Sequence, residues 1–174
     1  MDLTKDEIIK IAVVAVREYD EKQSKSRHDR RLRNTKLLLE NYNLLRAHCE
    51  NAIYDKQQVI ECEDNAIDIL DSLDKCESDT YIESIKASTI RTRIILAHID
   101  EMFDMYEVYC HRSKRKGDDR RHRVLKAAYL DEKEPEEIAL IEEVDERTIF
   151  RDMKDAREKL SALIFGIDGL HNVS

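Results

Sequence analysis

The chain is 174 residues long, with 39% of residues charged, 3 Gly, 1 Pro, no Trp and a formal net charge of −8. A chain of this length holds one domain or two small ones, and Gly and Pro this sparse leave few turns, so long helices with few connections are expected. The fold class reads as all-α: no stretch alternates at period two as a half-buried strand does, and no apolar run is long enough to span a membrane.

In chain order, Thr4 and Glu7 make a capping box ahead of Ile8, Ile9, Ile11, Ala12, Val13, Ala15 and Val16. This first helix is apolar on more than one face, so it either docks on the chain's own core or meets a partner. The partner would be a second copy of the chain, giving a homodimer, or RNA polymerase. Residues 21–36 are strongly basic, with Lys22, Lys25, Arg27, Arg30, Arg31, Arg33 and Lys36. They read as a solvated helical face or linker, or as a phosphate-contacting stretch that folds back beside a distant site. From Leu32 the pattern is helical again through Leu38, Leu39, Tyr42, Leu45, Cys49, Ala52 and Ile53. Tyr54 and Asp55 suggest a break or the middle of a longer helix, and Val59 to Leu73 forms another amphipathic stretch. Asp74 to Asp79 reads as a loop, with Ser78 or Asp79 capping the next helix. Then Tyr81, Ile85, Ser88, Thr92, Ile95, Ile99, Met102, Tyr106 and Tyr109 step alternately by four and three. That is a heptad seam over 81–109, weakened at Ser88 and Thr92, which packs on the preceding helices or on a second copy.

The cysteines are Cys49, Cys62, Cys76 and Cys110, with no CxxC pair. Neighbours such as His48–Cys49 and Cys110–His111 diverge by about 100° on a helix, so each pair offers one good metal ligand. Small buried side chains in a reduced, cytoplasmic protein are the expected role, with no metal and no cofactor.

Residues 111–123 form a second basic run with seven Lys/Arg, broken by Gly117 and Asp118–Asp119. This break divides the chain into a helical N-terminal domain (1–116), a small C-terminal domain (117–166) and a tail (167–174). A supporting helix is expected from about Asp119 to Leu130. Pro135 suits a first helical position, and Glu136 and Glu137 favour a helix start there. Ile138, Ala139 and Ile141 give a short apolar face. After about three residues Asp145 caps a longer helix, whose stripe is Ile149, Met153, Ala156 and Leu160. Its other side shows Arg147, Thr148, Arg151, Lys154 and Arg157.

Two helices joined by a tight turn, with a basic exposed face on the second, describe a helix-turn-helix. In that motif the second helix lies in the DNA major groove with its N-terminal residues at the base edges. Here these are Glu146, Arg147, Thr148 and Arg151; Arg suits the two acceptors of guanine and Glu the donor of cytosine. The chain's acidity is an objection, since phosphate contacts dominate DNA affinity. It is unevenly spread, however. Residues 111–174 hold 14 Lys/Arg and 15 Asp/Glu, whereas residues 1–110 hold 16 and 23.

The run PEEIALIEEVDERTIFRDMKDAREKLSALIFG resembles the last helix-turn-helix of bacterial sigma factors, their fourth region. The features in common are the EIA triplet, an apolar residue at the turn, an Asp cap, the TIFRD segment and the KDAREKL tail. Together with YDEKQSKSRHDRRLRNTKLLLENYNLLRAHCENAIYD, it resembles the ArpU/RinA-type late-gene regulators of phages in Gram-positive hosts. The turn departs from the motif. Gly is common there, whereas this chain has Glu142, Glu143 and Val144, and the acidic pair opposes close phosphate approach. The resemblance implies sequence-specific recognition of double-stranded promoter or operator DNA in the cytoplasm of a bacterial host. It also places the start of the supporting helix near the DNA backbone. Arg120, Arg121 and Arg123, together with Lys154, are then the phosphate contacts.

No Gly-rich phosphate loop, Ser-centred elbow or HExxH motif is present, so an enzyme is not expected. Promoter melting would need clustered exposed aromatics, and Tyr19, Tyr42 and Tyr54 are scattered. The rival reading is a helical adaptor or anti-factor that binds RNA polymerase or another regulator.

Overall fold

The computed structural model describes residues 5–51, 65–113 and 115–166, with side chains from residue 9 onward. Within them the chain is all-helical. It forms α1 (Lys5–Glu40), α2 (Tyr42–Glu50), α3 (Ala66–Leu73), α4 (Ser78–Lys86), α5 (Thr89–Arg112), α6 (Asp118–Tyr129), α7 (Pro135–Ile141) and α8 (Glu146–Phe165). Two helices organise the rest. α5 packs on α2, α3, α4, α6 and α8, and α8 packs on α1, α3, α5, α6 and α7.

α1 is one continuous helix of 36 residues, about 54 Å long at 1.5 Å per residue. The basic stretch 21–36 is therefore helix, not linker. Only the last part of α1 enters the body, where Arg31, Asn34, Thr35, Leu38 and Leu39 are buried. Residues 9–27 are exposed throughout. Ile9, Ile11, Val13, Val14 and Val16 are each more than half exposed. The expectation in which this apolar half docks on the chain's own core is thus corrected. The end of the helix that carries Leu38 and Leu39 is anchored, and the other end runs past the body. The Thr4–Glu7 capping box and the break at Tyr54–Asp55 lie outside the described residues.

Side-chain caps start α3, α5 and α8. The Asn65 side chain accepts from the Asp68 N–H at 2.9 Å and starts α3. α4 follows a short turn, but its N-cap is Glu77; Ser78 and Asp79 lie inside its first turn. The heptad seam over 81–109 is not one helix. It divides between α4 and α5, with Ser88 as the N-cap of α5, its Oγ accepting from the Arg91 N–H at 3.3 Å. Thr92 Oγ1 donates to the carbonyls of Ile85 and Ser88, both at 3.0 Å, and ties the two helix ends together. The polar residues that weaken the seam are the corner itself. The apolar seam residues up to Tyr106 remain on one inner side, where Tyr81, Ile85, Ile95, Ile99, Met102 and Tyr106 are buried, whereas Tyr109 at the end of the seam is exposed.

That inner side meets the rest of the same chain. Leu38, Leu39, Tyr42 and Leu45 share one buried cluster with Ile95, Ile99 and Tyr106, and with Leu125, Tyr129, Ala156, Leu160, Ile164 and Phe165. The break at 116/117 is real as a turn, since Gly117 has φ +97, which L side chains rarely adopt. The apolar core nevertheless runs through it.

Candidate nucleic-acid interface

α6, α7 and α8 enclose a second, small cluster of Val124, Ile138, Ala139 and Ile149, with Val144 and Met153 packed against it. α7 starts with Pro135 in its first turn and Glu134 as N-cap. Residues 142–145 then turn the chain into α8. The Glu142 N–H donates to the Ile138 carbonyl at 2.9 Å, and the Val144 N–H donates to the Ala139 carbonyl at 3.1 Å. The second bond reaches back five residues across Glu143, whose φ is +54. This is a Schellman-type helix end, in which the left-handed residue usually is glycine. Val144 then fills the apolar turn position. Asp145 caps α8: its carboxylate accepts from the Thr148 N–H at 2.8 Å and from Thr148 Oγ1 at 3.0 Å. The first of these bonds, from the backbone, contributes most to holding the Asp145 carboxyl below the usual range.

The inner stripe of α8 is Ile149, Asp152, Ala156, Leu160 and Ile164, all buried. At 100° per residue, Arg147, Arg151 and Lys154 fall within about 60° of one another on the opposite side. All three are exposed, and none has a hydrogen-bond or ion-pair partner among the described residues. Glu146 is also exposed, turned about 100° from Arg147 around the helix axis. Thr148 is half-buried, and its hydroxyl is engaged in the cap. Of the four expected base readers, the fold therefore brings Arg147 and Arg151 onto the free face, sets Glu146 to one side and occupies Thr148.

The expected phosphate contacts divide more sharply. Lys154 is free. Arg120 donates from Nε to Asp152 at 2.6 Å. Arg121 contacts Asp118 at 2.6 Å, Asp155 at 3.2 Å and Asp152 at 3.5 Å. Arg123 makes a two-pronged bond to Glu142, at 2.8 and 2.6 Å. Asp118 and Asp152 are fully buried, and a buried carboxylate without a cation is costly. Arg120 and Arg121 supply those cations, joined at Asp118 by Ser113 Oγ at 2.5 Å and Lys159 Nζ at 3.0 Å. Burial alone would raise the Asp118 carboxyl; the bonds from Ser113, Lys159 and Arg121 outweigh it and bring it down to about 2. These arginines fasten α6 to α8, so the three candidates at the head of α6 spend their charge on the protein.

The Arg123–Glu142 pair also changes the view of the turn. The Arg123 hydrogen bonds hold the Glu142 carboxyl below the usual range, and its charge is matched in place. Of the acidic pair only Glu143 is left exposed to an approaching phosphate.

The first basic run is similarly committed at its C-terminal end. Arg30 pairs with Asp74 at 3.0 Å, Arg31 with Asp71 at 3.5 Å and Lys36 with Glu40 at 3.5 Å. Arg33 donates to the Cys76 carbonyl at 2.8 Å. Lys22 and Lys25 remain exposed.

Two features of the site were not expected. Phe150 is 55% exposed at the edge of the cationic face, on the Lys154 side. Asp152 lies on the inner stripe of α8, where a carboxylate demands a buried cation. That second signal is readable in the sequence, because Asp152 falls in phase with Ile149 and Ala156. Comparison with family models, with curated proteins and with solved structures finds no match to this chain.

Proposed function

We propose that this protein binds double-stranded DNA sequence-specifically as a transcription regulator, reading the major groove with α8. One observation carries the reading. Arg147, Arg151 and Lys154 share the outer face of α8 with no hydrogen-bond or ion-pair partner among the described residues, while the neighbouring arginines are used to hold that helix in place. Unpaired guanidinium groups on a rigid helix suit bidentate recognition of guanine. Glu146 lies beside them and suits cytosine. The resemblance to sigma factor region 4 and to phage late-gene regulators points to promoter or operator DNA in a bacterial cell. The same resemblance makes RNA polymerase a candidate partner. With Arg120, Arg121 and Arg123 paired internally, Lys154 is the expected phosphate contact left without a partner among the described residues, so weak non-specific binding and a shallow salt dependence are expected.

The test is selection of genomic and phage DNA fragments followed by sequencing, with the wild type beside Arg147→Ala/Arg151→Ala. The wild type enriches one site and the double variant loses it, at about 1–3 kcal/mol for each bidentate base contact removed. Enrichment by neither protein, with no binding even at low salt, overturns direct DNA recognition.

A second reading is favoured by the bare apolar half of α1. A contiguous apolar surface of this kind is characteristic of protein–protein contact. In that reading the chain is a helical adaptor or anti-factor for polymerase or another regulator, or pairs with a second copy of itself. The Arg147/Arg151 variant then retains its binding partner.

A further inference from the structure

We infer that Phe150 is a specificity-determining residue of α8, and that it selects a base carrying a 5-methyl group, thymine in ordinary DNA. The inference rests on the DNA-reading function proposed above.

Phe150 is 55% exposed although its neighbour Ile149 is fully buried. It therefore adds little to the core. Its place on the helix is specific. At 100° per residue it lies about 60° from Arg147 and about 40° from Lys154. It lies about 100° from Arg151. A large aromatic ring thus stands at one edge of the cationic face, beside Lys154 and Arg147, and is more than half exposed. Phe is a poor choice for an exposed helix position on propensity alone. Single exposed apolar residues are common on protein surfaces. This one borders the residues that would enter the groove, and its chemistry matches a groove feature that Arg and Lys do not read. Thymine presents a C5 methyl in the major groove, and apolar side chains, Phe among them, recognise it by contact. The arginines would read guanine acceptors, and Phe150 would read the methyl of a thymine in the same half-site.

The discriminating chemistry is replacement of thymine by uracil, which deletes the methyl and leaves every hydrogen-bonding group in place. The DNA is the duplex selected by the wild type, made with deoxyuridine at each thymine in turn and titrated by fluorescence anisotropy. One thymine position is expected to weaken wild-type binding by about fourfold, the effect of losing one buried methyl. Phe150→Ala is expected to bind that site more weakly and to treat thymine and uracil alike. Phe150→Leu keeps an apolar contact and should retain part of the preference. If the wild type selects a site but uracil is tolerated at every position, Phe150 does not read a methyl, while DNA recognition stands. If the wild type selects no site, the inference falls with the function it rests on. The uracil series on the wild type involves no substitution in the protein, so misfolding of a variant does not enter.

Discussion

Glu143 holds a backbone conformation that favours glycine. Its φ of +54 is imposed by the Val144-to-Ala139 hydrogen bond that ends α7. An L side chain in the left-handed region costs roughly 1–2 kcal/mol relative to its preferred wells. Glu143→Gly should therefore raise stability by about 1 kcal/mol, read as a higher denaturation midpoint with an unchanged m-value. A fall in stability would mean that the Glu143 side chain makes a favourable interaction outweighing the strain. Departure from the helix-turn-helix pattern at this position is legible in the sequence, and so is the Asp145 cap, because both depend on neighbours within four residues. The fate of Arg120, Arg121 and Arg123 is not. Their carboxylates lie 19 to 32 residues away for Arg120 and Arg123, and charge counting along a chain does not show which cations are already matched. The engagement of the Thr148 hydroxyl in the Asp145 cap, by contrast, is a local contact three residues long.

Among the elements, the junction of α6 and α8 determines how firmly the outer face of α8 is presented. Its centre is Asp118, fully buried and bonded by Ser113, Arg121 and Lys159. The folded carboxyl titrates at about 2, below its ordinary value of 3.8. A depressed folded value means that the stabilisation is complete above about pH 4 and is lost as pH falls towards 2. The amount is about 2 kcal/mol, from 1.36 kcal/mol per pH unit of difference. Wild type and Asp118→Asn should therefore be well separated in stability at pH 5, and the gap should shrink by about that amount by pH 2. A gap that stays constant would show that the carboxyl's charge is not what the junction needs. At this scale the sequence is informative about where helices lie and less so about where they bend. The apolar seam from Tyr81 to Tyr106 reads correctly as an inner face. The corner at Ser88 reads only as a weak point within one helix, because a period of three and four continues unbroken across a sharp turn.

For the molecule as a whole, the main consequence lies in how the core is shared. α6 and α8 place Leu125, Tyr129, Ala156, Leu160 and Ile164 in the same cluster as Leu38 and Leu39 of α1 and Ile95 and Ile99 of α5. The three C-terminal helices keep only the small cluster around Val124 and Ile149 for themselves. A division by charge and glycine, such as the one drawn at residue 117, cannot reveal this, because burial joins residues more than a hundred positions apart. Cooperative unfolding of the N-terminal and C-terminal helices is the expected result. Leu38→Ala removes a fully buried side chain and should cost about 3 kcal/mol, within the range for such cavities. Hydrogen exchange distinguishes a shared core from two separate ones. In a shared core the amides of α8 lose protection by the same free energy as those at the C-terminal end of α1. In two independent domains α8 would keep its protection. Val13→Ala is the contrasting case, since Val13 is 62% exposed on the projecting half of α1. It should leave the protection of α8 within about 0.5 kcal/mol of the wild type, as surface substitutions usually do. A larger effect at Val13 would mean that the bare apolar half of α1 is covered in solution, and the dependence of that effect on protein concentration would tell whether a second copy covers it.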